Sequence, residues 1–170
     1  MGFFDALFGS NQPQQITPQL PSVMEQADID LIEMGQFPSI ATSEIYLQKN
    51  EVCYYADNAR LMNEKTVKDY MHKMTGGGGP LFLGLHVHYG KMQKIQTGEH
   101  IEREFFDGKL FVTNKRMIFL EKEQGLDKRH TSITAIKAYS NAIEIQYGSK
   151  TYNIFVPDGY VLNDLFELLH

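Results

Sequence analysis

Residues Gly108–Glu121 read GKLFVTNKRMIFLE. Two apolar, β-prone runs flank the polar residues Asn114, Lys115 and Arg116. Strand alternation sends Leu110 and Val112 to one face, and Met117 and Phe119 to one face of the returning strand. Asn tolerates the left-handed backbone of tight turns, so the stretch predicts a β-hairpin with its reversal at Thr113–Arg116. The same reading leaves Lys115 and Arg116 as donors for an anion at the hairpin tip.

The hairpin is one of several. Downstream of it, His130–Ala138, Ala142–Tyr147 and Thr151–Val156 have strand character, the last two joined by a tight turn at Gly148-Ser149. Upstream, Glu51–Ala56 and Ala59–Glu64 flank Asp57-Asn58, read as a turn pair. Leu81–Tyr89, Ile101–Phe106 and Lys109–Thr113 complete the set, and Lys65–Met74 fits either a short helix or an extended run. Short strands with no intervening helices predict an antiparallel sheet that curls into a barrel or sandwich. The final segment, Asp158–His170, departs from this rhythm. Val161, Leu162, Leu165, Phe166, Leu168 and Leu169 form one broad stripe behind a capping Asp158, which predicts an amphipathic helix covering the open end of the barrel.

Three segments precede the strands. Phe3, Phe4, Leu7 and Phe8 stand at helical spacing in MGFFDALFG and form a candidate membrane or partner tip. The run 10–21, with three prolines and four glutamines, reads as a linker, so 1–21 is tip plus linker. Ser22–Met34 has Val23, Ala27, Leu31 and Met34 on one face, Ser22 as N-cap and Gly35 as stop, predicting an N-terminal helix within a 22–50 segment.

These residues in this order resemble the GRAM and bacterial pleckstrin-homology-like (PH-like) domains. The string is Gly108-x-Leu110-x-Val112-Thr113-x-x-Arg116-x-Ile118-Phe119. Ile133-x-x-Ile136, Ile143-x-Ile145, Tyr152-x-Ile154-Phe155 and a terminal helix follow it. The best match covers 100–169, within an expected barrel domain of 51–170. The resemblance implies an α+β, PH-like curled antiparallel β-barrel closed by a C-terminal helix. It also implies a non-catalytic module that binds lipid headgroups, peptides or partner proteins.

Charge places the candidate contacts. Residues 1–60 carry 8 acids against 2 bases, 61–141 carry 9 acids against 13 bases, and 142–170 carry 4 acids against 1 base. A net of −6, then +4, then −3 lacks the strongly basic face of a nucleic-acid binder and leaves room for a local anion site. Lys128, Arg129 and His130, after Gly125, form the second basic cluster, read as a loop tip and as the better anion candidate than Lys115-Arg116. The expected partner is thus a protein or an anionic membrane surface, with a homo-oligomer built through the greasy terminus or a free sheet edge as another outcome.

Motifs of catalysis are missing. Gly76–Gly79 is followed by Pro80 and Leu81 where a phosphate loop needs Lys and Ser or Thr, so it reads as a flexible connector. No G-x-S-x-G occurs, and Cys53 has no activating neighbours in sequence; it reads as a small buried apolar group. His86 and His88, two apart on a strand, share a face and form the weak metal candidates of a cupin-like metal-dependent barrel enzyme. Met92 and Gln93 stand where that chemistry needs a glutamate. No cofactor is expected. One cysteine, no secretory leader and no apolar run of membrane length predict a cytoplasmic protein, peripheral to the membrane at most.

Overall fold

The computed structural model describes residues 19–75, 78–81, 85–88, 91–122 and 125–170, with side chains outside 69–97. The expected tip Phe3, Phe4, Leu7 and Phe8 lies outside the described residues. The chain is α+β: helix α1 (Gln26–Glu33), strands β1 (Cys53–Thr75), β2 (Gly78–Leu81), β3 (Leu85–His88), β4 (Lys91–Thr113), β5 (Arg116–Leu120), β6 (Leu126–Arg129), a 3-10 turn (His130–Ser132), β7 (Ala135–Tyr139), β8 (Ala142–Tyr147), β9 (Lys150–Phe155) and helix α2 (Gly159–Leu169).

Seven strands form one antiparallel sheet in the order β6-β5-β4-β1-β9-β8-β7, and β2 pairs with β3 separately. The sheet is not closed: β6 and β7 are its two ends. The chain divides into two compact units. One comprises the described residues up to Asn63 together with Phe105–His170; the other is Glu64–Glu104. β1 and β4 contribute to both. Within the second unit, Arg103 pairs with Glu64 and Lys68 with Glu99, their side chains between 27% and 52% exposed.

In the first unit, the hairpin follows the predicted alternation. Leu110 opposes Phe119 and Val112 opposes Met117, and all four are buried in the main core with Ile143, Ile145 and Ile154. The opposite face of the hairpin is buried too. Phe111 and Ile118 pack with Cys53 beneath Ile40, Ile45 and Leu47, contributed by the irregular segment before β1.

Helix α2 starts where Asp158 accepts hydrogen bonds from the Tyr160 and Val161 amides, satisfying two of the four donors a helix start leaves open. Its stripe Val161, Leu162, Leu165 and Phe166 is buried against the main core, and the helix packs on β7, β8 and α1. Gly159 lies against the sheet so closely that a Cβ would collide with the backbone oxygens of Tyr139 and Ala142.

Several expectations are corrected by the packing. Asp57-Asn58 is no turn: both lie inside β1, because buried Asp57 binds the Ser22 hydroxyl (2.6 Å) and the Val23 amide (2.7 Å). Ser22 is thereby taken from the helix cap, and α1 begins later, behind Glu25, with no side-chain cap. Gly35 ends it in the left-handed region, φ +76°, as expected. Lys65–Met74 is extended, within β1. Ile101–Phe106 and Lys109–Thr113 are one strand, running through Asp107 and Gly108. Of the expected strand Leu81–Tyr89, Leu81 belongs to β2 and Leu85–His88 form β3. Gly78 and Gly79 are strand residues opposite His88 and Val87 rather than a connector. Lys128 and Arg129 sit on β6, the edge strand, not on a loop tip.

A candidate anion-binding recess over a buried ion pair

The turn Thr113–Arg116 is a clasp. The Thr113 hydroxyl accepts from the Lys115 and Arg116 amides (3.1 Å each), which closes the reversal, and donates to Glu51 Oε1 (2.8 Å). Asn114 holds residues 50–52 on both sides. Its Oδ1 accepts from the Val52 amide and its Nδ2 donates to the Asn50 carbonyl, both at 3.0 Å. Asn50 carries a positive φ of 59°, which places Glu51 beneath the turn.

Arg116 is spent internally. Its Nε donates to Glu51 Oε1 (2.8 Å), one terminal nitrogen to Asp127 Oδ2 (2.6 Å), and the other to Glu51 Oε2 (3.1 Å) and the Tyr46 carbonyl (2.8 Å). Burial alone would raise the Glu51 carboxyl. Arg116, the Gln48 amide and Thr113 outweigh it and hold that group at about 2. The fork-on-fork geometry makes Arg116 a structural cation. Sequence reasoning missed Glu51 because nothing nearby in the chain marks a lone glutamate as the partner of an arginine 65 residues away.

Above this pair lies a recess of about 870 Å³, lined by Lys115, Arg116, Arg129, His130 and His170 among others, with no acidic residue in its lining. Lys115 donates to the Lys49 carbonyl (2.6 Å), which occupies one of its three protons. Arg129, opposite Arg116 in the β5–β6 register, is exposed and makes no side-chain hydrogen bond or ion pair among the described residues. His130 is buried. Its Nε2 lies 2.7 Å from the Thr113 carbonyl, which only accepts, so the proton sits on Nε2. Nδ1 is sealed without a partner, and burial pushes the imidazole below its ordinary range.

Of the predicted anion donors, Lys115, Arg116, Arg129 and His130 therefore converge on one recess, while Lys128 stands outside its lining. His170, which follows α2, joins them unforeseen. The metal candidates His86 and His88 lie on β3, opposite Pro80 and Gly78, and their side chains fall outside the described residues. Among the described residues no group of three or more His, Cys, Asp or Glu side chains could hold a metal ion, and no helix is long and apolar enough to cross a membrane. Cys53 is buried, and burial pushes its thiol up to about 11.

No family model, no curated protein and no solved structure matches the chain.

Proposed function

We propose that the protein is a non-catalytic binding module of the PH-like or GRAM-like kind, whose recess receives an anionic group of a membrane surface. The observation that carries this reading is the recess itself: basic residues at its mouth and floor and no acid in its lining. Lys115 and Arg129 supply the donors. The Arg116–Glu51–Asp127 cluster fixes the strands that hold them, and His130 stays neutral beneath. An α+β unit with an open seven-stranded sheet and a helix packed on it is loosely compatible with a PH-like frame. The N-terminal residues Phe3, Phe4, Leu7 and Phe8 would add a second weak contact, and two weak contacts reinforce one another when both reach one surface.

Sedimentation with vesicles of phosphatidylcholine alone, or mixed with phosphatidylglycerol, tests this. The full chain should pellet with the anionic vesicles, less so as salt is raised, and the Lys115→Glu/Arg129→Glu variant should stay in solution. Removal of residues 1–9 measures the share of the tip. No retention of the full chain, or retention unchanged in the double variant, would overturn the reading.

A further inference from the structure

A second recess, of about 440 Å³, lies in the same unit between the segment before α1, strand β1 and the start of α2. Its charge is opposite in sign. Glu33, Asp57 and Asp158 line it, and no Lys, Arg or His does. Two buried polar groups belong to its lining. Asp57 is 2% exposed, yet its carboxylate is met only by neutral donors: the Ser22 hydroxyl and the Val23 and Asn58 amides. Both its oxygens accept hydrogen bonds, and no cation pairs with it among the described residues.

Tyr55, two residues earlier on the same face of β1, is also 2% exposed, and its hydroxyl has no hydrogen-bond partner. Burial, with the fields of Asp57 and Asp158, pushes that phenol well above its ordinary range. Asp158 spends one oxygen, Oδ1, on the α2 cap and leaves the other uncommitted; Glu33 is exposed and makes no ion pair among the described residues. Met24, Ile29 and Val161 supply apolar wall between these acids.

We propose that this recess binds a protonated amine carried on an aliphatic stem, the ammonium among Asp57, Asp158, Glu33 and the Tyr55 hydroxyl and the stem along Met24, Ile29 and Val161. An ammonium gives three protons in different directions, so one group serves the orphaned phenol oxygen and the open carboxylate oxygens together. The stem is what separates this site from one for a bare metal ion, since the walls are methyl and methylene groups that an inorganic cation cannot use. The chemistry is that of a free diamine or of a lysine side chain on another protein.

Calorimetric titration of the full chain with 1,5-diaminopentane and with Nα-acetyl-lysine methylamide separates the two sources, because the tighter ligand names the source. Nα-acetyl-norleucine methylamide, with the same stem and no charge, is the control and should not bind. Asparagine caps a helix as well as aspartate does, so Asp158→Asn removes the charge and keeps α2 intact. Combined with Glu33→Gln it should weaken the amine about tenfold, as loss of charge-assisted hydrogen bonds does. Tyr55→Phe should weaken it as well, with a thermal melt confirming that the core is kept. Binding of the norleucine compound as tight as the amines, undiminished amine binding in Asp158→Asn/Glu33→Gln, or no heat from either amine would overturn the assignment.

Discussion

Arg116 and Glu51 decide what the basic turn can do. Removing the carboxylate leaves a guanidinium with 14% of its side chain exposed and its main partner gone. Glu51→Gln should therefore destabilise the fold by about 3–5 kcal/mol, read from urea denaturation at neutral pH. The pH dependence has a defined sign. Because the folded-state value of Glu51 is depressed from 4.5 to about 2, its contribution is complete above 4.5 and is lost as pH falls from there toward 2. Denaturation midpoints should fall across that window in the natural chain and fall less in Glu51→Gln. His130, depressed below its ordinary 6.5 by burial, adds an earlier slope: stability declines as pH drops below 6.5, because the unfolded chain takes up the proton first. His130→Phe should remove that slope, and its ring would keep the edge contact with Phe166. Cys53, buried and held near 11, should react with a thiol reagent at the rate of unfolding rather than at the rate of a free thiol.

At the scale of elements, what could be read in advance was what local pattern controls. The strand Ala142–Tyr147 and the Asp158 cap are where the sequence places them, because alternation and a capping aspartate act over a few residues. The turn at Thr113–Arg116 was legible for the same reason, but its second role was not. Nothing local shows that Asn114 holds residues 50 and 52, or that Arg116 is committed to Glu51. Asp57-Asn58 misled because aspartate and asparagine favour turns on their own. Here a bond from each to residues 21–23 keeps the strand extended. Lys128 and Arg129 misled likewise, since charge on an edge strand looks like charge on a loop, and edges are often charged to deter pairing. The α2 junction gives a sharp element-level prediction. Gly159→Ala forces a methyl against two carbonyl oxygens of the sheet and should cost about 3 kcal/mol. Gly125→Ala, with open space around it, should leave the urea midpoint unchanged.

For the whole molecule, the division into two units has a direct test. Arg60 and Asp107 are ion-paired between β1 and β4 within the first unit, so those strands are already held together there. Replacing Glu64–Glu104 by an Asn-Gly turn between Asn63 and Phe105 should leave a chain that melts cooperatively with dispersed amide spectra. A molten spectrum would show that the two units depend on each other for folding. The α+β class was open to reading because an antiparallel sheet with a terminal amphipathic helix is written as pattern; the expected closure into a barrel is not borne out, since the sheet ends at β6 and β7. The recess was half open to it: sequence supplies the cations, and only folding shows which of them are already taken.

The clasp also bears on how the chain is made. Glu51 leaves the ribosome about 65 residues ahead of Arg116, several seconds at ordinary elongation rates. In that interval residues 46–52 lack Arg116 to close on, and Ile40, Ile45 and Leu47 have no Phe111 or Ile118 to cover. The mouth of the recess thus comes into being only after translation has passed the hairpin. A chain arrested before Arg116 would show its early greasy segment to chaperones instead.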